Sequence, residues 1–263
     1  MQGVELDLPF SQFVEIYFRD KEPSLKARTV INKRYTINSH VLPFFGEKRM
    51  NEILPSDVIK WQNEMQKKGF AETYLRMIRN QLTAIFTHAT RVYDLRRNPC
   101  SKVKKMGKRD AEGIDFWTVD EYRQFIAQFE PGSMYHTLFE VLFWTGTRIG
   151  EALAITKADI DLEKKQLNIS KTYYRLKGEH VMARPKTENS IRSIELPMFL
   201  IREITGFTNQ LYKLPDNERI FRISAEAVQH MMKRRTKKQF KKLKKLIVKS
   251  GLPKGVKVKR ATV

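Results

Sequence analysis

The chain has a single cysteine, Cys100, among its 263 residues. One thiol cannot close an internal disulfide, so a disulfide-stapled secreted scaffold is excluded and a reducing, cytoplasmic setting is expected. Cys100 follows Pro99 at the end of a segment with no histidine near it in sequence, so it reads as structural rather than as a thiol nucleophile. No apolar run approaches the roughly 20 residues of a membrane span. Met1-Gln2-Gly3-Val4-Glu5 has neither the basic nor the apolar region of a secretory signal. Acid is scarce as well. Asp and Glu number 29 against 50 Lys and Arg, a formal net charge of +21, with a pI near 10.0. The excess is spread over the whole chain and points to a polyanion partner, most simply nucleic acid. Ribosomal proteins and binders of anionic membranes share that balance.

What is present reads as two domains. Residues 8–19 carry apolar side chains at helical spacing. A second helix is expected from Ser24 through His40, with Lys26, Arg28, Lys33 and Arg34 along a basic side, stopped at Pro43-Phe44-Phe45-Gly46. Pro55-Ser56-Asp57-Val58 opens a third, with Ser56 or Asp57 as its cap, running to Lys68-Gly69. A fourth runs from Glu72 or Thr73 to about Tyr93, and Asn98-Pro99 ends the unit. This makes residues 1–102 an all-α module. Residues 101–113 hold five Lys or Arg, among them Lys104, Lys105 and Lys108, without apolar periodicity. We read 103–113 as a basic linker, either a solvated hinge or a DNA-crossing strap.

The second domain, 114–263, opens with the capping box Thr118-Val119-Asp120-Glu121, whose helix should reach about Phe129. Residues 133–145 are apolar on nearly every face and predict a buried central helix, with His136 as a core or boundary histidine lacking an evident partner. The period then changes from 3.6 to 2. Leu167, Ile169, Tyr173, Val181, Ile191, Ile194 and Leu196 mark short strands of an expected three-stranded antiparallel sheet, with 184–190 joining its second and third strands. A helix over 198–213 follows. Ser224 then caps a long helix carrying Lys233, Arg234, Arg235, Lys237 and Lys238, a charge density suited to DNA.

Between the central helix and the strands lies Thr145-Gly146-Thr147-Arg148-Ile149-Gly150-Glu151, a sharp turn that starts a helix with Arg148. A guanidinium fork there could hold two phosphate oxygens, with backbone N–H groups adding to the field. Arg148 could equally do no more than ion-pair with Glu151. The stretch resembles the first catalytic box of the tyrosine recombinases, the family of phage and conjugative-transposon integrases. Pro43, Gly46, Ile53 and Pro55 are similar to the turn pattern of that family's core-binding domain. The resemblance spans about residues 8–250.

That resemblance implies a mainly α (α+β) fold, with a four-helix SAM-like core-binding domain before a catalytic domain bearing a small antiparallel sheet. It implies Arg148 as a phosphate-binding arginine, Glu151 as its support, and Lys186, in Pro185-Lys186-Thr187, as the general acid for the leaving 5′-oxygen. It implies double-stranded DNA as partner, self-association on it, and no metal, cofactor or small-molecule substrate. The family's His-x-x-Arg box and nucleophilic tyrosine are expected downstream. Here no His-x-x-Arg follows, and no tyrosine comes after Tyr212. The expectation is therefore a C-terminally incomplete recombinase that binds DNA without cutting it. A non-catalytic DNA-binding protein on the same scaffold is the alternative, and a basic RNA-binding protein a more distant one.

Overall fold

The computed structural model describes residues 6–110, 116–185 and 190–249, with side chains along the last helix described to Lys237. The chain divides into two compact units, Met1–Ile114 and Asp115–Val263.

The first unit is helical: α1 (Phe10–Lys21), α2 (Ala27–His40), a single turn α3 (Leu42–Phe45), α4 (Pro55–Lys67) and α5 (Glu72–Val92). Phe10, Phe13, Val14, Tyr17 and Phe18 of α1 recur at i, i+3, i+4, i+7 and i+8, and all are buried. They meet Ile37, Phe45, Trp61 and the inner face of α5 in one core. Pro43 does not simply stop α2. It sits in the first turn of α3, where its missing N–H is no loss. The start of α4 also differs from expectation. Leu54 is the cap residue, Pro55 is first in the helix, and Asp57 reaches back to accept the Leu54 N–H at 2.9 Å.

The stretch expected as a linker is anchored for its first half. Val103 and Met106 are buried in the helical core. Arg79, fully buried on α5, donates to Gln62 Oε1 at 2.6 Å, to the Cys100 carbonyl at 3.0 Å and to Thr83 Oγ1. Gln62 in turn donates to the Lys104 carbonyl at 3.0 Å. Among the described residues the charge of Arg79 has no carboxylate partner; neutral acceptors tie residues 100–106 to the bundle instead.

The second unit holds α6 (Val119–Ile126), α7 (Met134–Thr145), α8 (Ile149–Ala152), α9 (Met198–Asn209) and α10 (Ala225–Lys249). Its strands are β1 (Ile160–Asp161), β2 (Gln166–Ile169), β3 (Thr172–Leu176), β4 (Glu179–Ala183) and β5 (Arg192–Glu195). The capping box forms, with Thr118 Oγ1 accepting the Glu121 N–H and Glu121 accepting the Thr118 N–H. α6 ends three residues earlier than its apolar pattern implies, and Phe129 packs into the core from the turn that follows. α9 likewise closes at Asn209, leaving Tyr212 outside it and 85 % exposed. Ser224 caps α10 through the Ala227 N–H at 3.3 Å.

The sheet is antiparallel, in the order β1-β2-β5, and β3 and β4 form a separate hairpin inserted between its second and third strands. Leu167 pairs with Ile194 and Ile169 with Arg192. α7 is buried on one side only: Thr137, Leu138, Phe139 and Val141 are inside, while Trp144 is exposed. His136 has a partner, as its Nδ1 lies 2.8 Å from Glu203 Oε1 on α9. No described helix is long and apolar enough to cross a membrane.

Candidate functional site

α7 stops because Gly146 adopts a left-handed conformation, φ 60° and ψ 21°, just past its end. The hydroxyls of Thr145 and Thr147 meet at 2.9 Å across the turn, and Thr145 also bonds back to the Val141 carbonyl. The chain turns sharply and delivers Arg148 to the cap position of α8. Gly150 is needed for the next step. A Cβ on it would lie 2.6 Å from Thr172 Oγ1 and 3.0 Å from the Tyr173 carbonyl, so only glycine lets β3 press against α8.

That packing buries Glu151, which is 4 % exposed. Three donors converge on it. Arg148 gives its backbone N–H to Oε2 at 3.0 Å and its Nη1 to Oε1 at 2.8 Å. Arg192, from β5, gives Nη2 to Oε2 at 2.8 Å. Burial alone raises the Glu151 carboxyl, but Arg192 and then Arg148 outweigh it and hold the group below the ordinary carboxylate range. Glu151 is therefore an anion at neutral pH and a fixed point for both arginines. The Arg148 side chain is itself 73 % exposed. Among the described residues its Nε and Nη2 make no hydrogen bond with the protein. The helix-terminus contribution expected for Arg148 is weak, because α8 has four residues and the Arg148 N–H is already taken by Glu151.

Beside Arg148 lies a cleft of about 440 Å³ walled by Trp117, Tyr122, Phe143 and Met232. Tyr122 stacks on Phe143 at 3.7 Å, and burial pushes its phenol far up, which makes it a poor source of phenolate. Tyr173 is a packing residue, as its strand pattern implies. It is 2 % exposed, its hydroxyl lies 2.6 Å from His180 Nδ1, and the Arg219 guanidinium covers its ring at 3.6 Å.

Lys186 lies outside the described residues. Its segment belongs to the β4–β5 connection, inside the excursion that the hairpin makes between β2 and β5. Lys171 stands at the other end of that excursion, where its Nζ pairs with Asp159 at 2.8 Å.

The residues expected to meet DNA divide. Lys26, Arg28, Lys104, Lys105, Lys108, Lys233, Arg234 and Lys237 are exposed. Arg34 is held by Glu15 and Glu22 and lies over the Phe18 ring, and Lys33 donates to Gln81 at 2.8 Å, so both are engaged within the bundle. Arg235 is half-buried over Phe129. The side chain of Lys238 lies outside the described residues. Arg192 was not among the sequence candidates. Alternation along Ile191-Arg192-Ser193-Ile194 places it on the same side as Ile194, and a cation on the inward side of a strand is the signal that was available.

Two family models match the chain. Residues 9–66 fit the N-terminal SAM-like domain of phage integrases. Residues 115–254 fit the phage integrase family. The chain belongs to the phage integrase family. It is 28 % identical over 194 residues to the ICEBs1 integrase of Bacillus subtilis (strain 168), covering 73 % of this chain and 52 % of that one. It is 23 % identical over 181 residues to the transposase from transposon Tn916 of Enterococcus faecalis, covering 67 % of this chain and 45 % of that one. The chain thus spans about half the length of the curated relatives it matches. Its fold is similar to that of the Tn1549 transposon integrase solved in complex with transposon right end DNA. The TM-score is 0.76 at 20 % identity, over 89 % of this chain and 79 % of that one. A lambda integrase tetramer bound to a Holliday junction gives a TM-score of 0.65 at 15 % identity, over 89 % and 67 %.

Proposed function

We propose that this integrase chain binds duplex DNA and seats one backbone phosphate on Arg148, as part of the machinery that recombines a mobile element at a specific site. The observation that carries the reading is the state of Arg148: anchored on a buried, ionised Glu151, yet with most of its side chain in solvent. A surface arginine with no task has no need of a buried anchor, and a purely structural one would bury its fork. The exposed lysines and arginines around both units supply the long-range attraction. Self-association on the DNA would bring two such sites to one recombining pair.

The chemistry implied by the family is attack of a tyrosine on a DNA phosphate, with arginines stabilising the charge on the nonbridging oxygens and a lysine protonating the leaving 5′-oxygen. Arg148 would serve as one of those arginines and Lys186 as the acid. Of the described tyrosines in the second unit, Tyr122 and Tyr173 are buried in packing roles, which does not suit them to the attack. We therefore assign the described residues DNA binding, with neither of these tyrosines as a strand-cleaving nucleophile.

Two measurements test the reading. Duplex affinity should fall steeply with salt, each neutralised phosphate contributing about −0.9 to the log–log slope, and duplex DNA should compete better than RNA of equal length. A flat salt response, or preference for RNA, would remove it. On a nicked suicide substrate no covalent adduct should be trapped; an adduct abolished by Tyr212→Phe or Tyr173→Phe would show that a nucleophile is present.

A further inference from the structure

We propose that Arg192 is a positioning residue that keeps the Arg148 fork open for its phosphate, an inference that rests on the reading of Arg148 above. Each carboxylate oxygen accepts about two hydrogen bonds. Oε2 of Glu151 already has two, from the Arg148 N–H at 3.0 Å and Arg192 Nη2 at 2.8 Å. Only Oε1 is left for the Arg148 side chain, which reaches it through Nη1 alone at 2.8 Å. A guanidinium beside a fully available carboxylate binds it edge-on through two parallel N–H groups. Arg148 bound in that way would turn a whole edge of its fork inward. Arg192 occupies the second oxygen and prevents this.

The charge balance works in the same direction. Arg148 and Glu151 alone would cancel, leaving a site with little attraction for an anion. With Arg192 the cluster holds two cations and one carboxylate and stays net positive. Arg192 is suited to support rather than to contact. It is fixed at both ends, by Glu151 and by donation to the Ser190 carbonyl at 3.2 Å, and its side chain is 32 % exposed against 73 % for Arg148. Its backbone is pinned by pairing with Ile169 in the sheet.

The test is a double-mutant cycle on the full chain, read as affinity for a short duplex at low salt. Arg148→Ala is expected to weaken binding by roughly threefold to tenfold, the range for one charge-assisted phosphate contact. Arg192→Leu is expected to weaken it by a similar factor, and the double variant to lose clearly less than the product of the two single losses, since only the charge contribution of Arg192 survives without Arg148. Arg192→Lys, which can still fill Oε2, should recover most of the loss. Thermal melts of each variant establish that it is folded; if Arg192→Leu is not, Arg192→Met replaces it in the cycle. The Arg148 Nε–H signal gives an independent readout. It should respond to DNA in the wild type, and in the Arg192→Leu variant it should be protected from exchange and insensitive to DNA. Losses that multiply in the double variant would overturn the proposal, because Arg192 would then act without Arg148. An Arg148→Ala variant of unchanged affinity would instead remove the phosphate reading and this proposal with it.

Discussion

A carboxylate that is 4 % exposed stays ionised only if donors replace its lost water, and Glu151 has three of them. Its substitution is therefore the sharpest probe at the scale of the residue. Glu151→Gln keeps the shape and loses the charge, and it should cost about 2 kcal/mol, the range for hydrogen bonds to a charged group. Glu151→Ala leaves two arginines facing a cavity and should cost more, about 3–5 kcal/mol. The sign of the pH dependence follows from the lowered carboxyl. The stabilisation is fully present above the ordinary value of 4.5 and is lost as pH falls through the lower folded-state value. Denaturation midpoints measured from neutral pH down to pH 3 check this. The wild type should lose stability over the acid limb, and the Glu151→Gln variant should lose less. At this scale the sequence was informative where a motif fixed both ends of a contact. Arg148 and Glu151 are three residues apart and meet as their spacing implies. Arg192 joins them from 41 residues away, and nothing local announces so distant a partner.

Helices with a full apolar stripe or a cap were legible at the scale of the element. α1 follows its five aromatic and aliphatic residues, and α6 starts at its capping box. Thr118→Ala should cost about 1 kcal/mol by thermal or denaturant melt, the usual value of a lost cap. Helix ends and exposed faces were less legible. α7 looks buried all round in sequence, but Leu142 and Phe143 also line the cleft beside Arg148 and Trp144 is exposed. The alternating segments were visible as strands, but their division into a sheet and a hairpin was not, since alternation specifies a face and not a neighbour. The anchored strap after α5 was missed because only Val103 and Met106 are apolar in it and a buried arginine does the holding. Gly107 closes that strap at φ +75°, where a Cβ would sit 2.2 Å from the Glu72 carbonyl oxygen and 2.6 Å from the Arg76 nitrogen. Gly107→Ala should therefore destabilise the first unit by roughly 1–3 kcal/mol, a melt being the check, because backbone atoms cannot step aside as a side chain can.

For the whole molecule, the two units and the basic charge decide behaviour. Residues 103–107 are held against the helical core, so limited trypsin treatment should cut first at Lys108 or Arg109 rather than at Lys102, Lys104 or Lys105. Mass spectrometry of the earliest fragments reads this, and early cutting inside either unit would contradict it. The central claim is that Arg148, held by Glu151, binds a DNA phosphate. It is tested most directly by the salt dependence of duplex binding for the wild type and for Arg148→Ala. If the claim is right, the variant's log–log slope is shallower by about 0.9, one phosphate contact, while its melt falls only modestly, because Arg192 and the backbone N–H of residue 148 still hold Glu151. An unchanged slope, with a domain that melts well below the wild type, would make Arg148 a structural partner of Glu151 and contradict the claim.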